Sequence, residues 1–101
     1  MIQGTTPTHT FVLPFQASLV QDVMVTYVQN NHIVLEKHST DCVWLDNAIQ
    51  INLKQEDTFA FSHLYRVKIE FKILTFDNKV LAKNFHNIPV EEALNKEVFP
   101  T

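Results

Sequence analysis

The sequence predicts an all-β, antiparallel, immunoglobulin-like β-sandwich of about seven strands, followed by a short C-terminal helix or tail. Three observations carry that expectation. Apolar and polar side chains alternate at period two in long runs, which gives a strand one oily and one wet face. Asn- and Asp-containing turns separate these runs at intervals near the ~8–12 residues of sandwich strands. Hydrophobic residues make up 46% of the chain and charged residues 19%, so two sheets have enough oily surface to bury against each other.

The first strand is expected over Thr10 to Phe15, with Phe11, Leu13 and Phe15 on one side and Pro14 at an edge or strand end. Residues 1–7 ahead of it are polar and Thr-rich and read as an N-terminal arm. Segment 22–29 puts Val23, Val25 and Tyr27 on one face, with Met24 and Val28 opposite. Asn30-Asn31 joins it to segment 32–38, because Asn tolerates the positive φ of a tight hairpin. Val43-Trp44-Leu45 is linked to Ala48–Leu53 by Asp46-Asn47, and Ile49, Ile51 and Leu53 alternate with Gln50, Asn52 and Lys54. Gln55 to Phe61 starts polar and ends aromatic, as a single helical turn crossing between sheets would, with Phe59 and Phe61 plugging the end of the core. The cleanest strand is 65–75, where Val67, Ile69, Phe71 and Ile73 alternate with charged residues. Asp77-Asn78 turns it into 79–88. In residues 90–101, apolar Val90, Leu94 and Val98 fall at helical spacing, in a stretch short enough to remain a tail. No composition shift divides the chain, so 1–101 reads as one domain.

Charge narrows the function. A net charge of −3 disfavours nucleic acid and anionic membrane as partners, since both attract a basic field. Arg66, Lys68 and Lys72 share a strand face but Glu70 interrupts them. No apolar run approaches the ~20 residues of a membrane span. The opening Met1-Ile2-Gln3-Gly4-Thr5 lacks the basic start and apolar stretch of a secretion signal. Gly4 is the sole glycine, which leaves no glycine-rich phosphate loop.

Catalytic and metal readings are weak. His9, His32, His38, His63 and His86 are dispersed, and His38 with Cys42 is the nearest thing to a ligand pair, so no metal and no cofactor is expected. Cys42 has His38 or His63 as a conceivable base and Asp41 as orienter, but no cation nearby to lower its pKa. The acid pairs Glu56-Asp57 and Glu91-Glu92 fit a solvated turn and a helix start. The expectation is therefore a non-enzyme. Trp44, Tyr27, Tyr65 and Phe76 are the candidates for a sugar-binding platform, with Trp44 and Tyr27 the ligand-facing pair.

The opening run Ile2 to Phe15, with Pro7, His9, Phe11 and Pro14, resembles the start of small structural proteins of tailed bacteriophages and prophages. So does Leu53-Lys54-Gln55-Glu56-Asp57-Thr58-Phe59, followed by a long strand and the Asp77-Asn78 turn. The order of parts is similar to the immunoglobulin-like N-terminal domain of phage upper baseplate proteins, and the likeness spans nearly the whole chain. Those domains carry Gly just before the long strand, where Ser62-His63-Leu64 stand here. The resemblance implies a virion component made and folded in the host bacterial cytoplasm, whose partners are other virion proteins repeated by symmetry. It carries over no functional residues. On this reading the working surfaces are strand edges and termini, and Val90, Leu94, Val98 and Phe99 form the candidate interface. The alternative is a carbohydrate-binding module of a fibre or decoration protein.

Overall fold

The alternation in residues 67–75 decides the centre of the molecule. Val67, Ile69, Phe71, Ile73 and Thr75 are buried and the residues between them are not, so one face of this strand looks into the core. A computed structural model describes residues 1–101. Its strands are β1 (Thr8–Val12), β2 (Val20–Gln29), β3 (His32–His38), β4 (Cys42–Trp44), β5 (Ala48–Asn52), β6 (Val67–Thr75) and β7 (Val80–Ile88), with one helix, α1 (Gln55–Phe59). All pairings between strands are antiparallel. They form a three-stranded sheet in the order β1-β5-β4 and a four-stranded sheet in the order β3-β2-β6-β7.

This is the strand order of an immunoglobulin-like sandwich, with strands B-E-D in one sheet and C′-C-F-G in the other. No strand lies beside β1 on its other edge; the segment before it instead makes a parallel bridge, Ile2 with Glu91, just past the end of β7. The inner faces meet through Val23, Val25, Ile49, Ile51, Val67 and Ile69, all within 4% of full burial. Phe11 of β1 stacks flat on Phe71 of β6, with ring centroids 4.6 Å apart, and tilts against Phe85 of β7 at 5.5 Å.

The turns follow their sequences in part. Asn30 and Asn31 both have positive φ, 49° and 63°, the backbone that a two-residue hairpin of right-handed twist demands. Asn78 serves the β6–β7 turn with φ 63°. The turn at Asp46-Asn47 works differently, since neither residue has positive φ. It closes through the Leu45 N–H to Ala48 C=O bond at 2.9 Å, and its carbonyls accept from Leu13 and Ala17, each at 2.8 Å. β1 ends at Val12, earlier than the expected Phe15, because Pro14 has no N–H to extend the ladder.

The terminal segments depart from expectation. Residues 1–7 are no free arm. The Met1 ammonium donates to the Pro89 carbonyl, the Glu91 N–H donates to Met1 and the Gln3 N–H donates to Glu91. Gly4 lies at φ 77°, and a Cβ there would sit 2.6 Å from the Phe59 ring, so the chain needs glycine at this close approach. Residues 92–101 form the tail and not the helix. Their backbone is drawn away from helical bonding by two buried glutamines. Gln55 accepts from the Phe99 N–H at 2.9 Å and donates to its C=O at 3.0 Å, and Gln3 accepts from the Ala93 N–H at 3.2 Å. A third, Gln29, holds Ser62 and Tyr65 in the same manner, so the irregular stretch before β6 is fixed to β2.

Because Phe71 is buried between Phe11 and the neighbouring strands, Phe71→Ala should destabilise the fold by about 3–5 kcal/mol in denaturant titration. A loss below ~1 kcal/mol would show that this ring is not part of the core.

Candidate functional site

The two sheets differ in width, and the mismatch falls on one side. β3 and β4 are joined by a short 3₁₀ turn, Ser39–Asp41, which closes that side of the sandwich. The turn is tied down by the Val23 N–H donating to the Ser39 hydroxyl, by Ser39 donating to Asp22, and by the Trp44 indole donating to the Ser39 carbonyl at 3.4 Å. On the opposite side β1 and β7 are both terminal strands, so each has an unpaired backbone edge. β7 overhangs the smaller sheet. Only Phe85 and Ile88 of its nine residues are even half-buried.

Between these two edges runs an apolar groove. Two neighbouring hollows of about 560 and 170 Å³ share Phe15 and Leu81 as walls; the smaller lies between the end of β1 and β7, and the larger beside the β6–β7 turn. Its rim carries Val12, Leu19, Phe76 and Leu81, which are 75%, 54%, 65% and 45% exposed. These residues are held out, not left loose. The Phe76 N–H donates to the Leu19 carbonyl at 3.1 Å, and Thr75 caps the β6–β7 turn by accepting from the Lys79 N–H at 3.1 Å. Lys79 and Lys83 stand along the groove, and neither makes an ion pair. Lys83 lies over the Phe85 ring, 5.4 Å from its centroid. Contiguous exposed rings and aliphatic side chains make this surface the candidate for an interaction.

The sequence-derived site residues fall in different places. Val90 is in the core at 8% exposure, because the Met1 and Gln3 bonds clamp the backbone on either side of it, so it is not an interface residue. Leu94, Val98 and Phe99 are exposed. Tyr27 is fully buried and faces no ligand. Its place on the inner face of β2 follows from the same alternation that buries Val23 and Val25. Trp44 is 38% exposed. It borders a cleft of about 680 Å³ with Gln16, Ser18, Gln21 and Asp46, so one half of the sugar-platform pair remains at the surface.

Two polar contacts cross the interior. His9 Nδ1 of β1 and the Tyr27 hydroxyl of β2 are hydrogen-bonded at 2.7 Å from one sheet to the other. Burial is the main cause that lowers the His9 pKa, helped by the N-terminal charge, and burial raises that of Tyr27, followed by the Asp57 and Cys42 charges. Both groups therefore stay neutral at pH 7. Lys37 of β3 pairs with Asp57 of α1 at 3.1 Å, and Asp57 also accepts from the Lys54 N–H to cap the helix. Cys42 donates to the His38 carbonyl at 3.3 Å, and burial with Asp41 and Asp22 nearby pushes its thiol up to about 11. A thiol so placed is a poor nucleophile. No three metal-ligating side chains converge.

No family model, curated protein or solved structure matches the chain. The groove was not anticipated from the sequence. A signal for it exists in Phe76, a large ring directly beside the Asp77-Asn78 turn, where no strand can pack over it.

The burial of His9 makes stability pH-dependent. The unfolded chain takes up a proton at His9 near the ordinary 6.5, whereas the folded chain resists it, so stability should fall as pH drops below that value. Chemical denaturation between pH 8 and pH 5 should show this loss, with a flatter profile for His9→Gln. Equal pH dependence in the two chains would remove His9 as the cause.

Proposed function

We propose that this chain is a non-enzymatic structural protein of a tailed-phage particle that works through protein–protein contacts. The observation that carries the reading is the groove between β1 and β7, an exposed apolar channel bounded by two unpaired strand edges. An exposed edge beside an apolar channel offers main-chain hydrogen bonds for affinity and side-chain hollows for specificity, which is the physics of strand addition. Lysines on such an edge discourage indiscriminate pairing and leave it to a matched partner. The resemblance of residues 2–15 and 53–59 to phage structural proteins supports the particle setting.

A second reading has one specific observation behind it. The half-exposed Trp44 indole borders a cleft with amide and carboxylate side chains, a composition that suits a sugar. Trp44 is the sole tryptophan, so fluorescence titration with host-surface polysaccharide separates the two readings, and a saturable shift would favour the sugar site.

The main reading is tested with purified particles. Quantitative mass spectrometry should find the chain at a fixed copy number. The double variant Leu19→Lys with Phe76→Lys alters two exposed side chains, so it should fold with a stability within about 1 kcal/mol of the parent and yet fail to enter particles. Incorporation of that variant at the parent's copy number would contradict a working groove. Absence of the parent chain from particles would contradict the virion setting.

A further inference from the structure

The groove marks a gap in the fold. Strand A of an immunoglobulin-like sandwich would lie beside β1, on the side facing β7. The residues that precede β1 do not go there, because Met1 and Gln3 are bonded to residues 89–91. The groove thus offers two free strand edges and an apolar floor that includes Phe71 and Ile73.

Charge indicates what fills it. The groove itself is lined by Lys79 and Lys83 against Asp77, while Arg66, Lys68, Glu70 and Lys72 alternate with the buried residues of β6 and face the other side of the sheet. The tail has the opposite character. Residues 91–99 carry Glu91, Glu92 and Glu97 against Lys96. Glu92 is paired with Lys96 and His63, while Glu91 and Glu97 make no ion pair. The same segment has no helix or strand of its own and exposes Leu94 and Phe99 at 103% and 80%. An acidic segment with unburied apolar side chains and an apolar groove flanked by two lysines free of ion pairs are complementary.

A chain cannot satisfy its own groove in this arrangement. Its Phe99 backbone is held by Gln55, at the end of the sandwich where Gln3 meets Phe61 and Ala93. The apolar rim of the groove is at the other end of β7, beside the Thr75–Lys79 turn. We propose that the segment 92–99 of one copy docks in the β1/β7 groove of a second copy, head to tail, with its acidic side chains against Lys79 and Lys83. Such a contact joins two different surfaces, so unless two copies exchange tails reciprocally it repeats into rings or filaments. The inference rests on the protein-contact reading and supplies its partner.

The test is sedimentation of the full chain over a concentration series. Its mass should grow with concentration, and the association should weaken as salt rises from low to about 0.5 M, where the Debye length is only a few Å. Lys83→Glu should weaken association at least about fivefold, and Glu97→Lys should do the same. The chain carrying both exchanges should recover most of the loss. Leu94→Ser with Phe99→Ser should abolish association while circular dichroism stays that of the parent. A chain that remains monomeric throughout overturns the proposal, as does association unaffected by Leu94→Ser with Phe99→Ser. Charge exchanges that weaken association singly without recovery in the pair also overturn it. Particle incorporation of a chain that stays monomeric alone would sink self-docking and leave the protein-contact reading standing.

Discussion

The stack of Phe11 on Phe71 fixes where the small sheet ends above the large one. Phe11 sits on a terminal strand of three, and Phe71 sits one strand in from the end of four. With the rings 4.6 Å apart and nearly parallel, β1 is held over β6, and β7 projects past it. The far side has no such overhang, because the turn between β3 and β4 ties the two sheets together. The uneven cover therefore collects on one edge. Everything distinctive about the surface follows: the groove, the exposed rim and the unpaired backbone of β7.

The ends of the sandwich are held by a different means. Strand ladders leave loops with unpaired backbone groups, and burying those groups unbonded costs about 1–3 kcal/mol each. Gln3, Gln29 and Gln55 are buried and turn both ends of their amides to such groups in residues 61–65, 93 and 99. Each acts as a short substitute strand. No buried side-chain nitrogen or oxygen lacks a partner. The irregular parts are thus ordered by side-chain amides, while the regular parts are ordered by apolar burial.

This division explains what was legible in the sequence. The strands were readable because burial imposes period two, as in Val67 to Ile73 and Ile49 to Leu53. The Asn30-Asn31 hairpin was readable because few residues accept positive φ. The glutamine clamps were not, since nothing in the local sequence of Gln3 says that it will meet Phe61 and Ala93. The helical spacing of Val90, Leu94 and Val98 misled for the same reason, as long-range bonds from Gln3 and Gln55 outbid a short helix with a costly nucleus. Tyr27 shows a further limit. Its alternation with Val25 marks it as inward-facing, while its ring also suits a sugar platform; His9, far away in sequence, satisfies its hydroxyl inside the sandwich. The groove lies between strands far apart in sequence, so only the sheet order reveals it.

The structure's central feature is an edge strand that has a partner on one side only. Site-resolved amide hydrogen exchange of the dilute chain tests this most directly. Alternate amides of β7 should exchange fast, while those of β6, paired on both sides, should be the slowest in the molecule. Uniform strong protection along β7, equal to that of β6, would contradict an open edge.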